Sequence, residues 1–257
     1  MLPEADFWIM RPFNGLFLAV LAFFLLLLIV SSLLLKNKSE KTKQTVLIAA
    51  SIVTVIGFLA YKYLLSQDAE FNALTADMGG FNWWGELPLN LCNINMILLP
   101  IAVYTKKRPL LSFCFFFGPL GALMALLMPT SGFSGYSFLL PRMLGFYLTH
   151  FMIFTEGIAL ACFGLYRPQV RDLPKTLLVL LIFGAIMFLF NMILRWTGLH
   201  PHANYFFTAE TEGNALLEFF HRLIPVPFLF ILPAAVPIAV YMLLLTLPFS
   251  LAERGKR

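Results

Sequence analysis

Cys92 stands in the stretch 86-ELPLNLCNIN-95, where a carboxylate, three asparagines and a thiol interrupt an otherwise apolar run. A second unusual residue, His150, lies in 143-MLGFYLTHFMIFTEGIAL-160. A cysteine and a histidine on two neighbouring helices make a nucleophile and its base. The imidazole takes the thiol proton, the sulfur attacks an acyl ester, and the proton later returns to the leaving group. Amides from Asn90, Asn93 or Asn95, or from the helix start itself, are the candidate donors to the resulting oxyanion. The competing reading is structural: asparagines and histidines join helices, and a lone cysteine packs as a small apolar side chain.

These residues must be positioned by membrane helices. The 257-residue chain is 60% hydrophobic and 12% charged, with mean hydropathy +0.84. Soluble chains carry about 25% charged residues. At about 20 apolar residues per crossing, the length suits six or seven spans. The apolar runs predict a single all-α domain over residues 1–257, with helices at 13–35, 46–65, 88–104, 109–128, 143–166, 177–197 and 223–248. The first is not a cleavable signal, since its apolar stretch is long and acidic Glu4 and Asp6 precede it. Basic residues concentrate in alternate loops: 36-KNKSEKTKQ-44, 105-TKKRP-109, Arg167 to Lys175, and the tail with Arg254, Lys256 and Arg257. Acids such as Asp68, Glu86, Glu210 and Glu218 fall on the opposite side. The asymmetry orients seven spans with the N-terminus outside and the C-terminus in the cytoplasm, as in a bacterial cytoplasmic membrane. The net charge of +5 is thus a topology signal. No basic face exists for nucleic acid.

In this frame Pro88 would occupy the first position of the third helix, with Cys92 about one turn inside, where the helix dipole favours a thiolate. Asn95 and Met96 would share the face of Cys92, with Glu86, Asn90 and Asn93 on a neighbouring stripe. Glu156 falls near the midplane, about 120° around its helix from His150 and on the face of Thr149. A third polar region runs from Asn191 to Arg222, including His200, His202, Asn204, Tyr205 and Glu210. Arg142, Arg195 and Arg222 break the charge asymmetry and are candidates to hold a phosphate, although arginines also snorkel to interfaces. The segment 66–87, with Trp83 and Trp84, reads as an interfacial element. Gly118, Gly121, Gly157 and Gly164 read as close helix contacts, and the phenylalanines as mainly lipid-facing bulk. Cys114 and Cys162 are isolated. His200 and His202 with Glu210 or Glu212 lack an established zinc spacing, so neither metal nor cofactor is expected.

The run 87-LPLNLCNI-94, then 150-HF-151 early in a later span, then 204-NYFF-207 resembles the YwaF-like family of integral membrane proteins over roughly residues 86–240. That family has an animal branch of cysteine-centred phospholipid acyltransferases, distantly related to androgen-induced membrane hydrolases that use Thr and His. The resemblance implies Cys92 as the acyl-accepting cysteine, His150 as the general base, and Asn204 and Tyr205 as part of the family's outer-loop motif. The chain departs at 208-TAETEG-213, which lacks the Lys-Pro expected in bacterial members. The leading expectation is acyl transfer or ester hydrolysis on a membrane lipid near the outer leaflet. Two alternatives are a small-solute transporter or channel built on Glu156 and a non-catalytic lipid-binding subunit.

Overall fold

The computed structural model describes residues 7–130 and 132–254. Acidic Glu4 and Asp6 and basic Lys256 and Arg257, used above to orient the termini, lie outside the described residues, as does the Arg254 side chain. The fold is helical. Helix α1 (Gly15–Leu35) opens on Asn14, whose side chain accepts from the Phe17 amide. Helix α2 (Glu40–Ser66) opens on Ser39, which accepts from the Thr42 amide. Both caps satisfy amides that a helix start leaves without partners. There follow α3 (Ala69–Leu74), α4 (Leu91–Thr105), α5 (Arg108–Leu127), α6 (Pro141–Cys162), α7 (Leu173–Trp196), α8 (Ala215–Leu223) and α9 (Ala235–Arg254). Two short strands, β1 (Ile9–Met10) and β2 (Tyr136–Ser137), pair antiparallel and tie the start of α1 to the loop before α6.

Among the described residues, six helical segments are long and apolar enough to cross a membrane: Gly15–Leu35, Glu40–Ser66, Arg108–Leu127, Pro141–Cys162, Val170–Trp196 and Leu229–Ala252. The chain is an integral membrane protein. The expected third span is a shorter helix: α4 has 15 residues, about 22 Å at 1.5 Å per residue, against a hydrocarbon layer of about 30 Å.

The helices divide into an inner and an outer group. Within the most apolar windows, 61% of α5 and 67% of α6 are buried, against 17% of α1. Helices α4, α5 and α6, with α2 beside them, form the interior. The exposed leucines and isoleucines of α1, α7 and α9 face outward, as lipid contact requires. Phenylalanine does more than face lipid. Phe17, Phe58, Phe113, Phe116, Phe117 and Phe151 are among the largest fully buried side chains, so the core itself is aromatic.

Several expected boundaries move for local reasons. The third helix begins at Leu91, not at 88. Pro88 sits instead at the centre of a tight turn, with the Leu89 amide donating to the Leu87 carbonyl at 2.7 Å. Proline's fixed φ suits such a three-residue turn. Glu86 and Asn90 therefore lie outside the helix. Helix α6 stops at Cys162, and Gly164 (φ +74) ends it with a left-handed turn. Gly164 has open space around its Cα, so it is not a packing glycine. The expected span 223–248 resolves into a 3-10 turn, Leu229–Ala234, leading into α9.

Candidate functional site

Cys92 is the second residue of α4 and is buried. Asn90 occupies the N-cap position but makes no side-chain capping bond. An asparagine there ordinarily accepts from an amide two or three residues on. Here the amides of the first turn take no partner from the Asn90 side chain. Gly121 on α5 makes this placement possible. A Cβ at Gly121 would lie 3.0 Å from the Cys92 nitrogen and 3.2 Å from its Cα. One turn away, Gly118 faces Asn95 in the same manner, at an ordinary 3.6 Å. Two small residues three apart on α5 thus seat two residues three apart on α4.

His150 on α6 is buried, with Nδ1 at 2.7 Å from the Phe146 carbonyl. A carbonyl only accepts, so Nδ1 carries the hydrogen. In the neutral ring Nε2 then holds the free lone pair, the form a general base requires. The Phe146 ring lies 4.4 Å from the imidazole, centroid to centroid, and helps fix its plane. No hydrogen bond joins Cys92 to His150 among the described residues. Lys62 lies on α2, the helix that packs against both α4 and α6. Its ammonium pairs with Glu86 and is 8% exposed in its side chain. The ammonium also lies 4.7 Å from the centre of the Tyr61 ring and 5.3 Å from that of Phe58.

The outer-loop residues buttress this cluster. Asn191 of α7 donates from Nδ2 to the Tyr205 carbonyl and to Thr208 Oγ1, both at 2.9 Å, and accepts from the Tyr205 amide at 2.9 Å. That clamp holds Phe206 (φ +60) and Phe207 (φ +53) in a left-handed turn which non-glycine residues rarely adopt. Asn204 accepts from the amides of Ala209 and Glu210 at 3.0 Å and donates to Glu212 at 2.7 Å. Tyr205 is buried and donates through its hydroxyl to the Trp84 carbonyl at 2.5 Å. Its ring packs with Leu87 and Leu89. The Asn-Tyr pair therefore braces the strand of chain that leads into Cys92. His200 sits over Gly85, where a Cβ would come within 2.8 Å of Nε2. Burial first, then the neighbouring His202, holds the His200 imidazole below its ordinary 6.5.

The three outer arginines separate. Arg142 is fully buried and committed, with bonds of 2.7 Å to Asp68 and 2.7 Å to Glu70 and one to the Gly132 carbonyl. It anchors the segment containing α3, and a phosphate would have to displace two carboxylates to reach it. Arg195 binds Glu210 at 2.5 Å and the Ala203 carbonyl at 2.7 Å, yet its Nη2 is buried without a partner. Arg222 is exposed on α8.

Glu156 lies elsewhere. It accepts from Thr54 at 2.6 Å and Ser51 at 3.1 Å, both on α2. With Asn95 and Gly118 it lines a narrow interior gap below the cysteine. The Asn95 Nδ2 donates to the Leu91 carbonyl at 2.6 Å, while its Oδ1, like that of Asn93, is buried without a partner. Cys114 is buried and Cys162 exposed, both as free thiols.

Lys62 is the member of the cluster that reading the sequence as a list of spans assigns to the outer end of the second helix. It is the only charged side chain in the run 46–65, and an ionisable residue within a span is itself a signal of function. Gly121 and Tyr61 carry no comparable signal. Residues 10–246 match the profile of the TMEM164 family, a membrane protein family. No curated protein and no solved structure matches the chain.

Proposed function

The chain belongs to the TMEM164 family, and on that premise we propose that it is a membrane-embedded Cys-His enzyme transferring or hydrolysing acyl groups of phospholipid-type substrates. The observation that carries the reading is the uncapped start of α4, which leaves first-turn backbone amides beside the buried Cys92 for an oxyanion formed there. A histidine locked with Nε2 open supplies the base. The Cys92 proton passes to Nε2 as the sulfur bonds to the ester carbonyl carbon. The C–O bond breaks, and the departing lipid alcohol takes the proton. A lysolipid hydroxyl or water then gives its proton to Nε2 as its oxygen bonds to the thioester carbonyl carbon, the C–S bond breaks, and the departing Cys92 sulfur takes that proton back. The thiol and imidazole must close up for the first step, and substrate-free sites commonly hold such groups apart.

The proposal includes a crossing by α4 together with the extended residues before it, making seven spans. Basic loops face the cytoplasm and the site faces the outer half of a bacterial cytoplasmic membrane. Arg195, through its unpartnered Nη2, and the exposed Arg222 are the arginines with donors to offer a phosphate. This reading agrees with the resemblance to the YwaF-like proteins and their acyltransferase branch. Incubation with acyl phospholipid should add one acyl mass to the intact protein, lost on treatment with hydroxylamine. Full lipid turnover by Cys92→Ala would sink the proposal.

Passage of a small solute or ion is a second reading, supported by the buried Glu156 with its two hydroxyl partners. Uptake into proteoliposomes that is abolished by Glu156→Gln and untouched by Cys92→Ala would favour it.

A further inference from the structure

Lys62 is the buried cation of the site, and its position is fixed from three directions. Its own helix supplies the Tyr61 and Phe58 rings on which the ammonium rests. The segment before α4 supplies Glu86, its carboxylate partner. Helix α6 is locked against the same turn of α2, because Gly145 leaves room for Tyr61, whose Cβ and Cγ would overlap any side chain there. A lysine on an apolar helix normally extends its head to the interface. This one is held inside, between the helix carrying His150 and the turn leading to Cys92.

We propose that Lys62 is the positioning residue of the Cys92 centre. Its ammonium stands as the fixed counter-charge to the sulfur anion that forms during attack, and Glu86 sets how much of that charge the sulfur feels. The inference rests on the acyl-transfer reading for its purpose, but concerns the thiol itself. Lys62 keeps its protons throughout: the thiol proton goes to His150 Nε2. An ammonium also discourages a second positive charge on His150, so the imidazole stays available as a base until the thiolate forms beside it.

The other ionisable groups around Cys92 complete the balance. Tyr61 and Glu86 meet the Lys62 ammonium from α2 and from the segment before α4, and His150 stands on α6, the helix packed against α2. Tyr205 and His200 reach Glu86 from the outer loop. Helix α5 meets Cys92 through Gly121, which brings no charge. Lys62 is the permanent cation among them.

The test is the rate at which iodoacetamide alkylates Cys92 in the full-length protein in detergent micelles at neutral pH, read by peptide mass so that Cys114 and Cys162 do not interfere. An opposite charge at close range changes the thiolate population about tenfold or more. Lys62→Met, which leaves Glu86 uncompensated, should slow alkylation at least about tenfold, and Lys62→Arg should restore most of it. Glu86→Gln should do the reverse and accelerate alkylation, because the ammonium then acts on the sulfur alone. A purely structural pair predicts the same direction for both variants, since either one breaks the tie between α2 and the segment before α4. Equal slowing by Lys62→Met and Glu86→Gln, or no change in either, overturns the proposal. Should Lys62→Met fail to fold, the sign of the Glu86→Gln effect decides alone. The assay uses no lipid. Opposite signs without any acyl thioester on Cys92 would keep the role of Lys62 and discard acyl transfer, whereas a thioester with equal signs would do the converse.

Discussion

A histidine whose Nδ1 is tied to a backbone carbonyl has one nitrogen left for chemistry. At His150 that nitrogen is Nε2, and the tie is a single 2.7 Å bond to Phe146. Replacing His150 with Gln keeps a polar side chain of similar reach but removes the base. Lipid turnover by the proposed enzyme should fall by about 10²–10⁴-fold with little change in thermal unfolding. Asn at the same position should do no better, which separates loss of the base from loss of a hydrogen bond. Tyr205→Phe should act differently, since the hydroxyl is committed to the Trp84 carbonyl. Its loss should cost about 0.5–1.5 kcal/mol in unfolding and leave a carbonyl to find water. Turnover should drop only by the small factor expected of a loosened brace, and a loss as deep as that of His150→Gln would assign Tyr205 a place among the reacting groups.

Between elements, the informative contacts are those that leave no room. Gly145 touches the Tyr61 ring and Gly121 touches the Cys92 backbone, and the two differ in what can yield. An added methyl at Gly145 overlaps the root of a buried aromatic side chain, so Gly145→Ala should destabilise the fold by about 1–3 kcal/mol. At Gly121 the contact is tighter than ordinary packing but short of overlap. Gly121→Ala should displace α4 slightly and depress the thiol reaction more than the unfolding temperature. Equal effects of the two substitutions on unfolding would remove that distinction. The Arg142 anchor adds a dependence on pH. Burial raises the Asp68 carboxyl, but the Phe71 amide and the Arg142 guanidinium outweigh it and hold the group below its ordinary 3.8. A carboxyl depressed in the folded state contributes stability that is full above 3.8 and is lost as pH falls through its folded value. Amide protection in residues 66–80, corrected for intrinsic exchange, should therefore fall below about pH 4, and Arg142→Met should lower it at neutral pH as well. Unchanged protection between pH 6 and pH 3 would contradict the assignment.

For the whole molecule, the charge distribution makes a geometric claim. If the basic loops are cytoplasmic, a cysteine at Lys41 should react with a membrane-impermeant maleimide only after permeabilisation. One at His202 should react in intact cells. Both belong in a Cys162→Ser background, since Cys162 is exposed. Reversed labelling would invert the orientation. The membrane character was legible in the residues because insertion is governed by a local quantity, hydropathy over about 20 residues. Cys92 and His150 stood out for a related reason, since polar groups in apolar runs are costly, and the structure places both as buried side chains. The start of α4 was not legible. Pro88 satisfies both a helix start and a tight turn, and only the packing of the 84–89 segment beneath Tyr205 selects the turn.

The sequence by itself therefore determined the membrane character, the helical class and the two residues on which the chemistry is proposed to rest, since all three follow from composition and from polar residues out of place. Tertiary structure decided their surroundings. It turned Arg142 into an anchor, gave Glu156 to Ser51 and Thr54, used Asn191 and Asn204 to shape a loop, and paired Lys62 with Glu86 ahead of the cysteine's helix. Those assignments depend on contacts between residues far apart in the chain, such as Lys62 with Glu86 or Tyr205 with Trp84. Local patterns of hydropathy and charge carry no record of which distant partner a buried polar group will meet.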